Sequence, residues 1–322
     1  MDDGQIIGCH LIDQLDPVAR SVRIIPRTTR GEVKVRLPGS IIELAPGPKP
    51  DGRCPARTSL TLFLNREARE MQHETLTVAG IEMTRFWHCF GTERHRASED
   101  VVVGLLRSSG TNVLPINTHR LDENRRRDAL EHGFDGVSYD RLGELVDVSG
   151  YVKMLNINLR TSAEAAVEVA KIAFDMTGER VLKLEVLEHD LRGSRDFEVV
   201  RAAEQLSAWE PSLVVLPLLS ADPAAAHAAV NAGCPLLRIM GSKISSGAGI
   251  ADEQAFKEIA SLPTPMVLDG GIGSLAHLDR AVDLGADGAL VNSILFDDGR
   301  APVVVMTEYA DAAAKVFRRA GA

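Results

Sequence analysis

No two of the four cysteines, Cys9, Cys54, Cys89 and Cys234, form a C-x-x-C pair, so the chain lacks the spacing of a zinc ribbon or a disulfide framework. A reducing compartment fits that usage, and the cytoplasm is the expected location. Positive charge is also scarce. Against 45 Asp and Glu stand 36 Lys and Arg, a net charge of -9, which makes nucleic acid a poor partner. No apolar run is long enough to span a bilayer, and the first residues are acidic and polar rather than basic then apolar, so neither a membrane span nor a secretory signal is expected. No G-x-G-x-x-G follows the first strand of the repeating part, where a dinucleotide fold would place it. His88, Cys89 and His95 in "HCFGTERH" have no partner carboxylate or histidine at ligand spacing. Core and surface roles are expected for these three, and no metal or cofactor is called for. Cys234, just after a helix-ending glycine, reads as a small buried hydrophobe.

What the chain does have is material for a large core, 45% hydrophobic residues in 322. The first 74 residues stand apart as an N-terminal extension. "APGPKPDGRCPARTS" is dense in Pro, Gly and charge, and "SVRIIP", "EVKVRLPG" and "SIIELAPG" are at most short strands. The extension reads as a small strand-rich appendage, a disordered leader, or residues upstream of a start at Met71. From Leu76 onward the sequence becomes rhythmic. After a hairpin-like "LTVAGIEMTR", the apolar runs "FWHCF", "NVLPI", "VKMLNIN", "VLKLEVL", "LVVLPL", "PLLRIM", "PMVLD" and "GALVN" each precede an amphipathic stretch. Thr161 with Glu164 forms a capping box, Pro223 suits a first helical turn, Ser274 can cap a helix, and Gly233 and Gly285 sit where helices stop. Strand then helix, eight times over, predicts a (β/α)8 barrel across residues 75–322, with an open doubly wound sheet as the rival.

In such a barrel, chemistry belongs at the C-terminal ends of the strands. The fourth run, "VLKLEVL", carries Lys183 and Glu185 on one face while Leu182, Leu184 and Val186 share the other. Burial strips water from an ammonium and is expected to lower its pKa, freeing an amine that attacks carbonyls to form a Schiff base; Glu185 is placed to shuttle the protons. The alternative is an ion pair that only holds the barrel together. "VLDGGIGS" ends the seventh run in Asp269, followed by Gly270, Gly271, Ile272 and Gly273, a carboxylate beside backbone N–H groups that can meet an anion. "MGSKISSGAG" supplies Gly241, Ser242, Ser246, Gly247 and Gly249, and Asn292 and Ser293 follow the eighth run. Singly these are ordinary βα loops; together, after strands six, seven and eight, they sit where barrel phosphate sites collect. "HRLDENRRRDALEH" mixes both signs of charge and reads as a solvated helix face.

At these residues the chain resembles the thiazole synthase family. The likeness rests on "VLKLEV", "VVLPLLSADPAAAHAAVNAGCPLLRIMGSKISSGAGI" and "VLDGGIGSLAHLDRAVDLGADGALVNS", with "LTVAGIEM" and "RTSAEAAVEVAKIA" before them. The resemblance implies a barrel enzyme in which Lys183 forms an imine with the ketone of 1-deoxy-D-xylulose 5-phosphate. It also implies Glu185 and Asp269 as the catalytic acids, and phosphate loops at Gly241 and Ser242, Gly271 to Gly273, and Asn292 and Ser293. Sulfur would arrive as the C-terminal thiocarboxylate of a small ubiquitin-like carrier protein, giving the thiazole phosphate of thiamin biosynthesis, and the enzyme is expected to be a homo-oligomer. Both partners being acidic, simple electrostatic steering is not expected; a groove for an extended Gly-Gly tail at the barrel mouth is.

The sequence departs from the family around the pocket, with "LNINLR", "THRLD", "KISSG" and "DGGIG" where the family usually reads P-N-T-A-G-C, R-R-V, P-I-G-S-G and D-A-G-I-G. A different phosphosugar is one reading of these changes. Related enzymes use the same lysine on a hexose 6-phosphate to make a 2-thiosugar phosphate, and a Schiff-base aldolase or isomerase would need the same lysine without a sulfur carrier. Lys243, where the family usually has proline, is either a further phosphosugar cation or a solvated loop lysine. His119 and Arg120 either reach substrate hydroxyls or lie exposed on a loop.

Overall fold

The computed structural model of the chain describes residues 73–121 and 125–320, together with three short strands nearer the N-terminus. The chain divides into two compact units, Met1–Arg69 and Glu70–Ala322. In the first, β1 (Arg23–Ile25), β2 (Val33–Leu37) and β3 (Ser40–Leu44) form an antiparallel sheet in that order, with Ile24 opposite Val35 and Val35 opposite Ile42. These fall on the three short apolar runs of the extension. Met71, Cys9 and Cys54 lie outside the described residues.

The second unit opens with the hairpin of β4 (Thr75–Val78) and β5 (Ile81–Thr84). Its turn residues Ala79 and Gly80 have φ of 48° and 81°, the left-handed pair that lets a two-residue turn follow the twist of its strands. Next come β6 (Phe86–His88), α1 (Glu99–Ser109) and β7 (Val113–Asn117). An insertion holding the short strands β8 (Glu131–His132) and β9 (Val137–Ser138) leads into α2 (Tyr139–Leu145). The alternation then proceeds through β10 (Val152–Ile157), α3 (Ala163–Thr177), β11 (Val181–Leu184), α4 (Asp196–Trp209), β12 (Val214–Leu219) and α5 (Pro223–Asn231). It ends with β13 (Leu237–Ile239), α6 (Glu253–Ala260), β14 (Met266–Asp269), α7 (Leu275–Asp283), β15 (Gly288–Val291), α8 (Ile294–Asp297) and α9 (Pro302–Ala320). The parallel strands bond in the order β7-β10-β11-β12-β13-β14-β15-β6, and β6 lies against β7, so the sheet curls until its ends meet. The architecture is the (β/α)8 barrel.

Period-2 alternation then decides where everything points. Outward residues such as Leu182, Leu184, Val186, Val215, Ile239 and Leu268 join the core between sheet and helices. The inward residues change character along each strand. At the N-terminal end Val113, Met154, Val181, Val214, Leu236 and Val267 form an apolar floor, plugged from below by Leu76, Val78 and Met83 of the hairpin. Two residues further along the same faces stand Asn156, Lys183, Arg238 and Asp269. A sealed floor and a polar upper layer leave the C-terminal mouth as the only end where inward side chains meet solvent among the described residues.

Two local expectations are corrected. The cap of α3 is Ser162 rather than Thr161: Ser162 has extended backbone and its Oγ accepts the Ala165 N–H at 3.3 Å, while Glu164 turns outward to Arg201. "HRLDENRRRDALEH" is not a helix where it is described. Leu121 and Leu130 are buried, Arg127–Ala129 makes one 3-10 turn, and Glu131 and His132 enter β8, because apolar anchors at both ends pull the segment onto the barrel. The proline and glycine signals hold. Pro223 begins α5 behind the Asp222 cap, and Gly233 and Gly285 take φ of 86° and 99° just past their helices.

Candidate active site

A cleft of about 420 Å³ opens at the C-terminal mouth, and Lys183, Glu185 and Asp269 all line it. The lysine comes from β11, Glu185 follows that strand directly, and Asp269 is the last residue of β14. Lys183 Nζ bonds Glu185 Oε1, lies 3.3 Å from Asn156 Oδ1 and 3.8 Å from Asp269 Oδ2. The residue that joins the two carboxylates is one the sequence reading passed over, Arg238 of β13. Fully buried beneath the cleft, its Nη2 donates to Glu185 Oε1 at 2.8 Å, its Nε donates to Asp269 Oδ2 at 2.7 Å, and its Nη1 donates to the Leu216 carbonyl at 3.2 Å. Two cations and two anions thus share a dry layer with no net charge, the condition under which burial of all four is tolerable.

The expected lowering of the Lys183 pKa is corrected by this arrangement. Burial pulls it down and the Arg238 charge pulls the same way, but Glu185 and Asp269 together raise it above the ordinary lysine value. Lys183 therefore rests as an ammonium and needs a partner to take its proton. Glu185 Oε1 is the carboxylate oxygen bonded to that Nζ. Burial works against the ionised form of Asp269, yet Arg238 and Lys183 hold its pKa below the ordinary aspartate value. The Nε and Nη2 of Arg238 both meet Asp269 at Oδ2.

On the other side of Lys183 a relay of amides fixes its surroundings. Asn156 Nδ2 donates to Asn117 Oδ1 at 2.7 Å, and Asn117 Nδ2 donates to the Gly133 carbonyl at 2.9 Å. This is why Asn117, Asn156 and Lys183, opposite one another in register across β7, β10 and β11, form one row. The rim is strained: Leu159, Leu191 and Ser245, none of them glycine, have φ of 56°, 57° and 58°, and all three line the cleft. Backbone held in this region, above all at leucine, clusters where loops must present side chains in one pose.

A second hollow, about 280 Å³, lies between the loops after β13, β14 and β15 and is lined by Ser245, Ser246, Gly247, Ile272, Gly273 and Ser293, with Ile294 and Asp297. Of the residues expected to hold phosphate, Ile272, Gly273 and Ser293 line this hollow, and Gly271 and Asn292 line the cleft. Gly241 and Ser242 line neither; the Gly241 N–H donates to the Gly270 carbonyl at 3.1 Å and Ser242 Oγ is 2.8 Å from Ser246 Oγ, so they tie the loops together. Asn292 is spent as well, bonding both the N–H and the carbonyl of Gly91 at 2.9 Å. Gly273 is required by space, since a Cβ there would lie 2.3 Å from the Gly247 carbonyl oxygen. Its N–H donates to His277 Nδ1 at 3.1 Å, and Ser274, at the N-cap position of α7, makes no side-chain capping bond, contrary to expectation.

The remaining candidates separate cleanly. Lys243 is exposed and 3.4 Å from Asp190. His119 stacks on Phe134 with ring centroids 4.5 Å apart and sits 3.4 Å from Glu131, which also accepts from Arg120 at 3.3 Å; neither His119 nor Arg120 lines the cleft. His95 pairs with Asp297 at 2.8 Å, and His88 is wholly buried, its pKa pushed by burial to about 4. Cys89 takes the expected core role, in the apolar cluster inside the barrel, and also lines the cleft; burial raises its pKa to about 11, so it is a thiol and not a thiolate at neutral pH. Cys234 is buried, as expected. Among the described residues no His, Cys, Asp and Glu cluster fits a metal ion, and no helix is long and apolar enough to cross a membrane.

Comparison with known proteins agrees with this geometry. The chain is 33% identical over 202 residues to the thiazole synthase of Cronobacter sakazakii, covering 62% of this chain and 73% of that protein. The crystal structure of the Amycolatopsis orientalis BexX/CysO complex aligns with a TM-score of 0.66 and 27% identity over 78% of this chain and 96% of that one. A mandelate oxidase aligns at 0.52 with 16% identity, covering 77% and 79%, a likeness of fold alone. The family model of the thiazole biosynthesis protein ThiG matches residues 85–320, which span the whole barrel and every residue of the charged layer, and the chain belongs to that family.

Proposed function

We propose that this sulfur-transferring synthase binds a phosphorylated ketose, converts its carbonyl to an imine on Lys183, and accepts sulfur from the thiocarboxylate tail of a carrier protein. The observation that carries the reading is the position of Lys183 Nζ, at the cleft floor with its hydrogen bond to Glu185 and Asp269 beyond it. Glu185 takes the ammonium proton, the free amine attacks the carbonyl, and the same carboxyl returns a proton to the carbinolamine hydroxyl, which leaves as water. The iminium so formed regains the positive charge that the ammonium carried, so the layer is built for it in advance. Asp269, held ionised by Arg238, is the base for the proton on the carbon next to the iminium. The phosphate is assigned to the hollow between the last three loops, where Ser245 and Ser293 offer hydroxyls. The partner in the BexX/CysO complex supports the carrier-protein part of this reading.

For the ketose, 1-deoxy-D-xylulose 5-phosphate has the support of the family and leads to the thiazole phosphate. A hexose 6-phosphate, leading to a 2-thiosugar phosphate, is favoured by Asn158, which lines the cleft with a side-chain oxygen that no protein group satisfies and so suits a further hydroxyl. Intact-protein mass spectrometry after borohydride reduction tests both. An adduct with 1-deoxy-D-xylulose 5-phosphate alone supports the first substrate, and one with glucose or fructose 6-phosphate alone supports the second. In either case Lys183→Ala must abolish it; an adduct that survives in Lys183→Ala, or none with any of these sugars, refutes the lysine imine.

A further inference from the structure

Asn158 stands out as the unsatisfied member of an otherwise satisfied wall. It follows β10, only 4% of it is exposed, it lines the cleft, and its Oδ1 has no hydrogen-bond partner. Asn156, two residues earlier on the same face, is bonded on both sides, to Asn117 and to Lys183. A buried amide oxygen left open costs stability, and at a residue that lines a cleft a ligand donor would satisfy it.

Its height in the barrel says which donor. Ile157 pairs with Leu184, and the Glu185 N–H donates to the Ile157 carbonyl at 3.0 Å, so Asn158 stands beside Glu185 at the level to which Lys183 Nζ has climbed. The pose is fixed from behind. Leu159 is held at φ 56°, and the Arg160 guanidinium binds the carbonyls of Thr118, His119 and Leu121 at 3.3, 3.4 and 3.2 Å, tying this loop to its neighbour.

From this juxtaposition we infer that Asn158 is the hydroxyl-recognition group of the site: its side-chain oxygen accepts from the hydroxyl on the carbon adjacent to the sugar carbonyl. The inference rests on the proposed sugar-phosphate reading and adds to it a specificity determinant. A site built around such a bond rejects the ligand that lacks the hydroxyl, because the amide is then buried without a partner.

Calorimetric titration of the full chain tests it. The probes are 1-deoxy-D-xylulose 5-phosphate and fructose 6-phosphate, each beside its 3-deoxy analogue, on wild type, Asn158→Leu and Asn158→Ser. Wild type is expected to bind the parent about tenfold or more tighter than the analogue. In Asn158→Leu that preference is expected to vanish, the analogue holding its wild-type affinity within about twofold. Equal binding of parent and analogue by wild type overturns the inference, as does a preference that survives in both variants; the wild-type comparison needs no variant to fold. Borohydride trapping in parallel separates the two ideas. Discrimination without any adduct refutes the imine and leaves the subsite, an adduct without discrimination does the reverse, and failure of both parents to bind overturns both.

Discussion

Replacing Arg238 by methionine, which matches the unbranched stem of the side chain and deletes the charged head, tests whether the buried layer is held by charge balance. In wild type Lys183 and Arg238 face Glu185 and Asp269 with side chains between 0% and 11% exposed. The variant leaves two carboxylates against one ammonium in that setting. Removing one partner from a buried ionic group costs about 3–5 kcal/mol, because the surviving charge has lost its compensation. For a barrel of this size that is a fall in Tm of roughly 6–20 °C, at about 2–4 °C per kcal/mol. The loss has a characteristic pH dependence. Asp269 in wild type has a lowered pKa, so its contribution is present above the unfolded value and fades as pH falls through the folded one. Without Arg238 the excess carboxylate holds its proton above the unfolded value, so the variant is least penalised in acid and loses more as pH rises. Melting curves at pH 5 and pH 7.5 should show the gap between variant and wild type widening with pH. Arg238→Met with Asp269→Asn restores neutrality and should recover more than half of the loss at pH 7.5. A gap independent of pH, or a double variant no better than the single one, would refute charge balance and reduce Arg238 to a packing element.

Two further outcomes follow from groups outside that layer. His88 and His132 are both buried with pKa values near 4, so each stays neutral in the fold while the unfolded chain takes up a proton near 6.5. Their stabilisation is complete above the unfolded value and declines as pH falls from it toward 4, on the order of 3 kcal/mol for each. Urea titrations between pH 7 and pH 4 should show this decline, and a flat profile would contradict the burial of these rings. Gly273→Ala drives a methyl group into the Gly247 carbonyl, 2.3 Å away, and so pushes apart the loops after β13 and β14. The KM for the phosphosugar should rise about tenfold or more with a smaller change in kcat, since binding of a remote phosphate is disturbed more than the chemistry at Lys183. An unchanged KM would remove the phosphate from that hollow.

The barrel was legible because each strand of a closed parallel sheet is an apolar run that helices must cover, and "VLKLEVL" showed its inward face through two charges in alternation. Asp269 was legible for the same reason, as the charged end of an apolar run. Arg238 was not, although "PLLRIM" carries the same signal: an arginine amid five apolar neighbours, on the face shared by Leu236 and Met240. Its partners lie 53 and 31 residues away in sequence, and only closure of the sheet brings them together. Counting charges would have exposed it, since Glu185 and Asp269 at strand ends leave one negative charge that Lys183 alone does not balance. The expected pKa of Lys183 came out inverted for a different reason: desolvation was weighed without the charges of Glu185 and Asp269, which outweigh burial and Arg238 together. The loop glycines marked the right end of the barrel, but which N–H groups stay free depends on partners such as His277 and Gly91 that no local pattern predicts.

Charge balance also explains why one lysine sits among three other buried ions. In the proposed reaction, proton transfer from Lys183 to Glu185 turns an ion pair into two neutral groups, and loss of water from the carbinolamine restores both charges as iminium and carboxylate. Transfer of the neighbouring carbon's proton to Asp269 then neutralises the iminium and a carboxylate together, leaving Glu185 with Arg238. The layer is electrically neutral at every stage, so no step places an uncompensated charge in a dry interior. Arg238 makes this possible because its charge does not titrate: it is the fixed cation against which either carboxylate can give or take a proton while the other remains paired. A lysine in its place would itself compete for the protons that Glu185 and Asp269 exchange, and an apolar residue would leave one carboxylate unbalanced whenever Lys183 was neutral.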